Sequence, residues 1–256
     1  MLTLYHGLAS TCSKKVRMCL AEKGLEWESR LVNLQKFEQH DPQYLKLNPN
    51  GVVPTLVHDG RPVTESTVII EYIDDTFPDP PLKPSDTWDR AQMRLWEKWS
   101  DDVGYAAVYV PTWDRLSRPA AEKLTDAELE RVLARIPTAE RRARWRQVAR
   151  GSFSAEEMDG AYEKMTRTFT RMEAVLQDNQ WLVGGNFTLA DVAMAPFIDR
   201  MMDLRGDLVS AAAFPAVYGW FERLRRRPSF ETTFFFGGKD ARTGAVASAL
   251  REEGIT

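Results

Sequence analysis

Hydrophobic and polar residues alternate along two short stretches near the start of the chain, residues 2–6 and 26–33. This alternation predicts two β-strands. Between them, the spacing of Val16, Cys19 and Leu20 predicts the apolar face of a helix. The chain therefore begins as strand, helix, strand.

Further elements are expected before residue 80. The stretch 42–48 predicts a short helix, and Asp59-Gly60 predicts the turn of a hairpin between two short strands. From Ser66, apolar positions recur at helical spacing until Pro78. The resulting order, β-α-β-α-β-β-α, predicts a small α/β unit.

The pattern changes after residue 79. The segment 80–86 is rich in proline, which removes backbone donors and fixes φ, so it predicts a linker. Beyond it no strand-like alternation returns, and helices are expected near 87–110, 125–149, 155–178, 188–203 and 214–226. The sequence thus predicts domains over 1–79 (α/β) and 87–236 (all-α), followed by a tail, 237–256.

The 256 residues are 43% hydrophobic, enough for a sizeable core, and their net charge of −3 gives no indication of nucleic-acid binding. We expect no membrane span, because no apolar run approaches the roughly 18 residues that one needs, and we see no secretory signal. Cys12 and Cys19, about two helical turns apart, are too distant for a disulfide, so a reduced, cytoplasmic setting is expected. The three scattered histidines predict no metal site.

Ser10, Cys12 and Ser13 crowd the turn into the first helix. Backbone N–H groups at a helix start are unpaired and the helix dipole is positive there. A hydroxyl at this point would stabilise a thiolate, although an ordinary N-cap would also explain a serine. Cys12 is a candidate acidic thiol, whereas Cys19 fits the apolar face and should be buried and inert.

Two more positions suggest a peptide-binding cleft. A cis bond at Val53-Pro54 would turn the Val53 backbone outward, free to pair with an extended ligand; a strand-initiating proline is the alternative. The Ser66 hydroxyl and the N–H groups after it suit a carboxylate, and Glu65 suits an ammonium; a plain cap by Ser66 is the alternative.

Gln39 and His40 are expected to border the same cleft, with a solvated surface as the alternative. Together, a thiolate donor, a free backbone edge and a pocket for a carboxylate and an ammonium describe a site for a γ-glutamyl peptide thiol. With STCSKKVR, NPNGVVPTLVHDGRPVTES and NFTLADVAMAP, the chain resembles the glutathione transferase family over nearly its whole length.

This resemblance implies a thioredoxin-like N-terminal domain, an all-α C-terminal domain, a homodimer, and glutathione as co-substrate without a metal. It implies that glutathione lies along the first domain. The residues implied to bind it are Gln39, His40, Val53, Pro54, Glu65 and Ser66. Ser10 takes the place of the activating serine of the serine-type classes, while the order Ser-Thr-Cys is similar to the zeta class.

The chain is also similar to the bacterial β-etherases in KFEQH, RAQMRLWEKW and WLVGGNFTLAD. This implies glutathione-dependent cleavage of β-aryl ethers in lignin-derived aromatics. Tyr105, Tyr109 and Trp113 are expected to form an aromatic wall for the electrophile, or else to pack within the helical core. The β-etherases do not share ASTCSKK, so whether Ser10, Ser13 or backbone groups stabilise the thiolate stays open.

Two other functions fit the sequence: a glutathione-dependent thiol–disulfide oxidoreductase using Cys12, and a non-catalytic interaction module. Two features indicate architecture instead of chemistry. Asp191 follows Thr188 by three residues, a spacing typical of a capping box. The arginine-rich stretch 140–146 has acidic residues nearby and indicates a salt-bridged surface rather than a nucleic-acid site.

Overall fold

The computed structural model describes residues 1–236, so the predicted tail 237–256 lies outside the described residues. The elements of the first half are β1 (Leu2–His6), α1 (Thr11–Glu22), β2 (Glu28–Leu31), α2 (Pro42–Leu45), β3 (Thr55–His58), β4 (Arg61–Thr64) and α3 (Ser66–Thr76). Their order is the predicted one. Two 3-10 turns that were not predicted, Leu34–Lys36 and Glu38–His40, precede α2.

The four strands form one sheet in the order β2-β1-β3-β4, parallel between β1 and β2 and antiparallel elsewhere. The predicted hairpin is confirmed: Asp59 and Gly60 have φ values of 49° and 80°, which the tight turn between β3 and β4 requires. Gly24, with φ 61°, follows the end of α1 as expected.

The second half is mainly helical. Its helices are α4 (Thr87–Trp99), α5 (Tyr105–Thr112), α6 (Arg118–Ala121), α7 (Asp126–Arg135), α8 (Ala139–Arg150), α9 (Ala155–Leu176), α10 (Leu189–Arg205), α11 (Pro215–Arg225) and α12 (Pro228–Phe234). Two π-helical turns, Ser100–Gly104 and Trp113–Ser117, join α4, α5 and α6 into one long run. Within residues 1–236, no helix is both long and apolar enough to cross a membrane.

One helix prediction was wrong, and one helix was missed. The single helix expected over 125–149 is divided into α7 and α8, because Pro137 lacks a backbone donor and disfavours helical geometry at Ile136, which is extended with ψ 123°. Helix α12 was not predicted; it begins at Pro228 and packs against α1. The division of the chain at 80–86 stays a prediction.

One large core joins the two halves, and α1 lies within it. Leu4, Leu56 and Ile70 of the first half share this core with Phe197 and Trp220 of the second. All five side chains are fully buried. Burial of this apolar surface across the boundary stabilises the two halves against each other.

Helix α1 also buries cationic side chains, which the apolar pattern did not predict. Lys14 Nζ lies 3.1 Å from the buried carboxylate of Asp199 in α10. Arg17 donates through Nε (3.3 Å) to the carbonyl oxygen of Thr233 in α12. Because each cation has its partner in the second half, α1 can present charge as well as apolar surface to the interior.

A smaller core forms around α7 and α8. Phe37 from the first half inserts into it, with its ring centroid 4.7 Å from that of Trp145. The residue has φ 59°, an uncommon conformation for a bulky side chain. The loop that carries Gln39 and His40 is therefore anchored to the second half.

Candidate active site

The strand register places three chain segments side by side at one edge of the sheet. Tyr5 pairs with Thr55, and Thr55 pairs with Thr64. Consequently the end of β1, the beginning of β3 and the end of β4 meet. The loop into α1 follows β1, the Val53-Pro54 turn directly precedes β3, and α3 begins two residues after β4. The predicted site segments therefore lie together.

The two serines near the start of α1 make different contacts. Ser10 is the N-cap: its half-buried Oγ accepts from the Ser13 backbone N–H at 3.2 Å. Because that oxygen accepts inside the protein, the hydroxyl proton of Ser10 can be donated outward. Ser13 has no exposed surface, and its Oγ accepts from the Gly7 N–H at 3.2 Å. Ser13 thus stabilises the turn between β1 and α1, whereas the Ser10 hydroxyl is available to donate to a ligand.

The thiol of Cys12 is half-buried beside the same cleft. Burial raises its pKa, and the positive charge of Lys15 and the Ser66 hydroxyl only partly oppose that effect. The expectation of an acidic thiol is therefore wrong: at neutral pH Cys12 is protonated. Its interaction with Ser66 shows that the starts of α1 and α3 are in contact.

The start of α3 differs in detail from the sequence interpretation. The N-cap is Glu65, with φ 66° and ψ 114° and no side-chain capping bond, so the interpretation of Ser66 as the cap is wrong. Ser66 is the first helical residue and is 7% exposed. Glu65 is exposed, and its left-handed φ is uncommon for this residue type. Both residues flank the open N–H groups of the helix.

The sequence interpretation missed a polar cluster behind α3. Lys15, fully buried in α1, donates from Nζ to Thr67 Oγ1 (2.9 Å), to Ser100 Oγ (3.0 Å) and to Asp101 Oδ1 (2.9 Å). Thr67 Oγ1 also donates to Asp101 at 2.9 Å. In the sequence, only the position of Lys15, two residues after Ser13, pointed to this cluster. Its partners in the π-helical turn are some 85 residues away.

The turn before β3 matches its prediction. The Val53-Pro54 peptide bond is cis. The preceding carbonyl, that of Val52, accepts from Asn48 Nδ2 at 2.9 Å and from the Tyr44 hydroxyl. Val53 is half-buried and precedes the paired part of β3, which begins at Thr55. Its backbone thus lies next to the sheet without belonging to the ladder.

Gln39 and His40 are buried, so the alternative of a solvated surface is wrong. Two of their polar atoms, Gln39 Oε1 and His40 Nδ1, have no hydrogen-bond partner among the described residues. Burial, followed by the charges of Arg141 and Arg135, lowers the pKa of His40 to about 4, so its imidazole is neutral. Gly51 has φ 61°, and a Cβ there would lie 2.7 Å from His40 Nδ1.

The three residues of the predicted aromatic wall form one continuous row. Tyr105 and Tyr109, with ring centroids 5.2 Å apart, line a cavity of about 360 Å³ between α5 and α9. Trp113 contacts Tyr109 at 5.1 Å and also packs on Trp145, at 4.8 Å, against the smaller core. Desolvation raises the pKa of Tyr105, although 36% of the residue is exposed, and a negative charge on Cys12 would raise it further. Tyr105 therefore lies near the start of α1.

Three features outside the cleft are architectural. Asp191 completes the predicted capping box of α10 and accepts from Trp220 Nε1 at 2.8 Å. In the arginine-rich stretch, Arg144 pairs with Glu157 at 2.8 Å, which confirms a salt-bridged surface for that residue. Cys19 is fully buried, and burial raises its pKa, as expected for an inert thiol. Among residues 1–236, no group of three metal-ligating side chains is present.

Comparison with known families agrees with this geometry. The family model described as "Glutathione S-transferase, N-terminal domain" matches residues 9–76. The model described as "Glutathione S-transferase, C-terminal domain" matches residues 118–228. The chain belongs to the glutathione S-transferase family. The expected fold class, a thioredoxin-like domain with an all-α domain, is thereby confirmed.

Individual relatives extend over most of this transferase. Protein LigF of Sphingobium sp. strain SYK-6 is 37% identical over 239 residues, which are 91% of this chain and 93% of LigF. Glutathione S-transferase Z2 of Arabidopsis thaliana is 28% identical over 232 residues, 90% of this chain and 89% of that protein. Both relatives thus match this chain over about nine-tenths of its length.

Solved structures give the same result. The crystal structure of beta-etherase LigF from Sphingobium sp. strain SYK-6 has a TM-score of 0.86 at 35% identity, covering 91% of this chain and 98% of that one. Glutathione transferase F7 of Populus trichocarpa, at 24% identity and a TM-score of 0.71 over 91% of this chain and 97% of its own, shares the fold. The chain is a glutathione transferase enzyme, and its predicted similarity to the β-etherases is confirmed.

Proposed function

We propose that this transferase cleaves a β-aryl ether of an aromatic substrate by attack of an activated glutathione thiolate. One observation carries the proposal: the starts of α1 and α3 meet at one sheet edge, and Tyr105 of the second domain lies near Cys12 of α1. The full-length similarity to the beta-etherase LigF supports the reaction type.

Glutathione would lie along that edge. The Val53 backbone would pair with its cysteinyl part, next to Pro54. Glu65 and Ser66 would hold the γ-glutamyl ammonium and carboxylate, since the N–H groups at the start of α3 suit an anion. The glycyl end would then approach the loop with the unpartnered atoms of Gln39 and His40.

Activation of the thiol would rest on Ser10. A free thiol has a pKa near 8.5, and only the thiolate is a good nucleophile. A hydrogen bond from the Ser10 hydroxyl, with the dipole of α1 behind it, would lower that pKa by about two units, roughly 2.7 kcal/mol. The buried ammonium of Lys15, one turn into the same helix, adds positive charge on the same side.

In the reaction the thiolate sulfur forms a bond to the carbon that bears the aryloxy group. The carbon–oxygen bond breaks, and its electron pair goes to the aryl oxygen, which leaves as a phenolate and takes a proton from solvent. Tyr105 and Tyr109 would contact the aromatic part of the substrate. Because Tyr105 stays protonated at neutral pH, its hydroxyl can donate a hydrogen bond to the departing oxygen.

The other two functions have less support. A thiol–disulfide oxidoreductase needs a reactive thiolate, and burial raises the pKa of Cys12. A non-catalytic module would have no need of the two unpartnered buried polar atoms at Gln39 and His40.

A homodimer in the cytoplasm is part of the proposal. Val68 of α3 and Trp88 and Leu95 of α4 are 55%, 71% and 49% exposed. An exposed apolar surface on adjoining helices is typical of a protein interface. Both cysteines are free thiols, which agrees with a reducing compartment. Light scattering should give the mass of two chains, and Trp88→Glu should shift it toward one.

The decisive experiment is release of a fluorescent phenol from a β-aryl ether, measured with and without glutathione. Release that requires glutathione and yields an equimolar thioether would support the proposal. Conjugation of a generic aryl halide without any ether cleavage would reject the β-aryl ether substrate and leave a general transferase. Ser10→Gly provides the matched variant, because glycine at an N-cap costs the helix only a few tenths of a kcal/mol.

A further inference from the structure

The arginines of helix α8 differ in what their side chains contact. Arg144, Arg146 and Arg150 pair with carboxylates at 2.8, 3.3 and 2.9 Å, and Arg142 donates to the Ile136 carbonyl at 2.7 Å. Arg141 has no carboxylate within ion-pair distance among residues 1–236, although it is half-buried. A half-buried guanidinium without a counter-charge is costly unless a ligand supplies one.

Helical spacing directs Arg141 toward the boundary between the two domains. It lies one turn before Trp145, on the same face of α8. The Trp145 ring contacts Phe37 of the first domain (4.7 Å) and Trp113 (4.8 Å). The guanidinium interacts with the hydroxyl of Tyr105, and its charge reaches His40. Arg141 therefore stands between the aromatic wall and the loop that carries Gln39 and His40.

That loop offers polar atoms but no buried cation, because its own lysine, Lys36, is exposed. His40 is neutral, and Arg135 is already paired with Asp41. Lys46, which follows α2, is also exposed and donates to the neutral amide of Gln43 at 3.1 Å. Solvent screens these exposed charges, whereas Arg141 is half-buried, so a carboxylate brought to the unpartnered atoms of this loop would find its stronger positive partner on α8.

We propose that Arg141, a residue of the second domain, binds the glycyl carboxylate of glutathione, so that the co-substrate bridges both domains instead of lying on the first alone. This rests on the proposed use of glutathione. A guanidinium binds a carboxylate through two parallel hydrogen bonds, a geometry that lysine cannot provide. Recognition of the glycyl end would then depend on how α8 packs against the first domain.

The test compares glutathione with γ-glutamylcysteine, which lacks the glycyl residue, by isothermal titration of the full chain. Arg141→Met should weaken glutathione binding about 10- to 100-fold and change γ-glutamylcysteine binding less than twofold. Arg141→Lys should fall between Arg141→Met and the wild type. Arg146→Met, whose partner Glu130 lies on the exposed side of the helix pair, should bind both peptides as the wild type does.

Several results would overturn the inference. If Arg141→Met lost equal affinity for both peptides, or lost none for either, Arg141 would not bind the glycyl carboxylate. If Arg141→Met binds both peptides as the wild type does but has a lower kcat for ether cleavage, the charge of Arg141 would act on the departing aryl oxygen instead. A wild-type chain that binds neither peptide would reject the proposed function itself, which separates the two failures.

Discussion

Lys15 Nζ lies 2.9 Å from Asp101 Oδ1, although Lys15 belongs to α1 and Asp101 to the π-helical turn between α4 and α5. The lysine is fully buried, whereas the aspartate is 47% exposed. Thr67 donates to the same carboxylate oxygen. Asp101 thus joins α1 and α3 of the first domain to the second domain, directly behind the cleft.

Asp101→Ala should lower the free energy of unfolding by about 1–2 kcal/mol, because it leaves the buried ammonium of Lys15 without its counter-charge. The partial exposure of Asp101 keeps the loss at that level. Urea denaturation would measure it. Asp102→Ala is the matched control, because Asp102 pairs with Lys98 on the surface and its removal should change nothing measurable. Equal stability losses in the two variants would contradict the structure.

Ser10 and Ser13 should behave differently when changed. Ser10→Gly should lower the rate of glutathione transfer at pH 7 about 10- to 100-fold and recover toward wild type by pH 9, because thiolate then forms without its hydrogen bond. Ser13→Ala should instead cost about 1–3 kcal/mol of stability, since it leaves the buried N–H of Gly7 unpaired. A pH–rate profile and a denaturation curve on both variants separate the roles. Parallel pH profiles for Ser10→Gly and wild type would assign activation to backbone groups.

Glu97 of α4 should make stability depend on pH. Burial, reinforced by the charge of Glu71, raises the pKa of Glu97 from 4.5 to about 8. The native state therefore binds this proton more tightly than the unfolded chain does, so stability falls as the pH rises from about 4.5 to 8. Glu97→Gln should gain stability relative to wild type by up to about 1.4 kcal/mol for each pH unit in that window.

Chemical denaturation of both chains at pH 5, 6, 7 and 8 would measure that difference. Asp102→Asn, on the exposed face of the following turn, is the control and should leave the pH dependence unchanged. A constant difference between Glu97→Gln and wild type would show that Glu97 is ionised throughout.

Cys12→Ser tests the redox alternative. Because burial raises the pKa of Cys12, transfer of glutathione to carbon should change less than about twofold in this variant. Mass spectrometry after incubation with oxidised glutathione should find little mixed disulfide on the wild type at pH 7. Abundant mixed disulfide, with loss of disulfide reduction in Cys12→Ser, would restore the oxidoreductase hypothesis.

Local patterns predicted much of the fold because they depend on neighbours in sequence. Asp59 and Gly60 both have positive φ, and two such residues in succession are typical of the tight turn of a hairpin. The helix break at Pro137 also had a local cause and was predictable. It was missed because the residues on both sides of Pro137 show helical periodicity.

The rest depended on contacts across long sequence separations. The stripe of Val16, Cys19 and Leu20 indicated one buried face of α1, yet Lys14 and Lys15 are buried as well. Their partners lie in helices that the sequence could not dock onto α1. For the same reason the position of Arg141 beside His40 could not be predicted, since it depends on how α8 packs against the first domain.

Buried charges on α1 also restrict how this protein can be recombined. Lys14 and Lys15 are satisfied by Asp199 and Asp101, both supplied by the second domain. A chimera that joined residues 1–79 to the helical half of another transferase would have to bring acidic groups to both positions, or leave ammonium groups stranded in its interior. The two domains must therefore be exchanged as matched pairs.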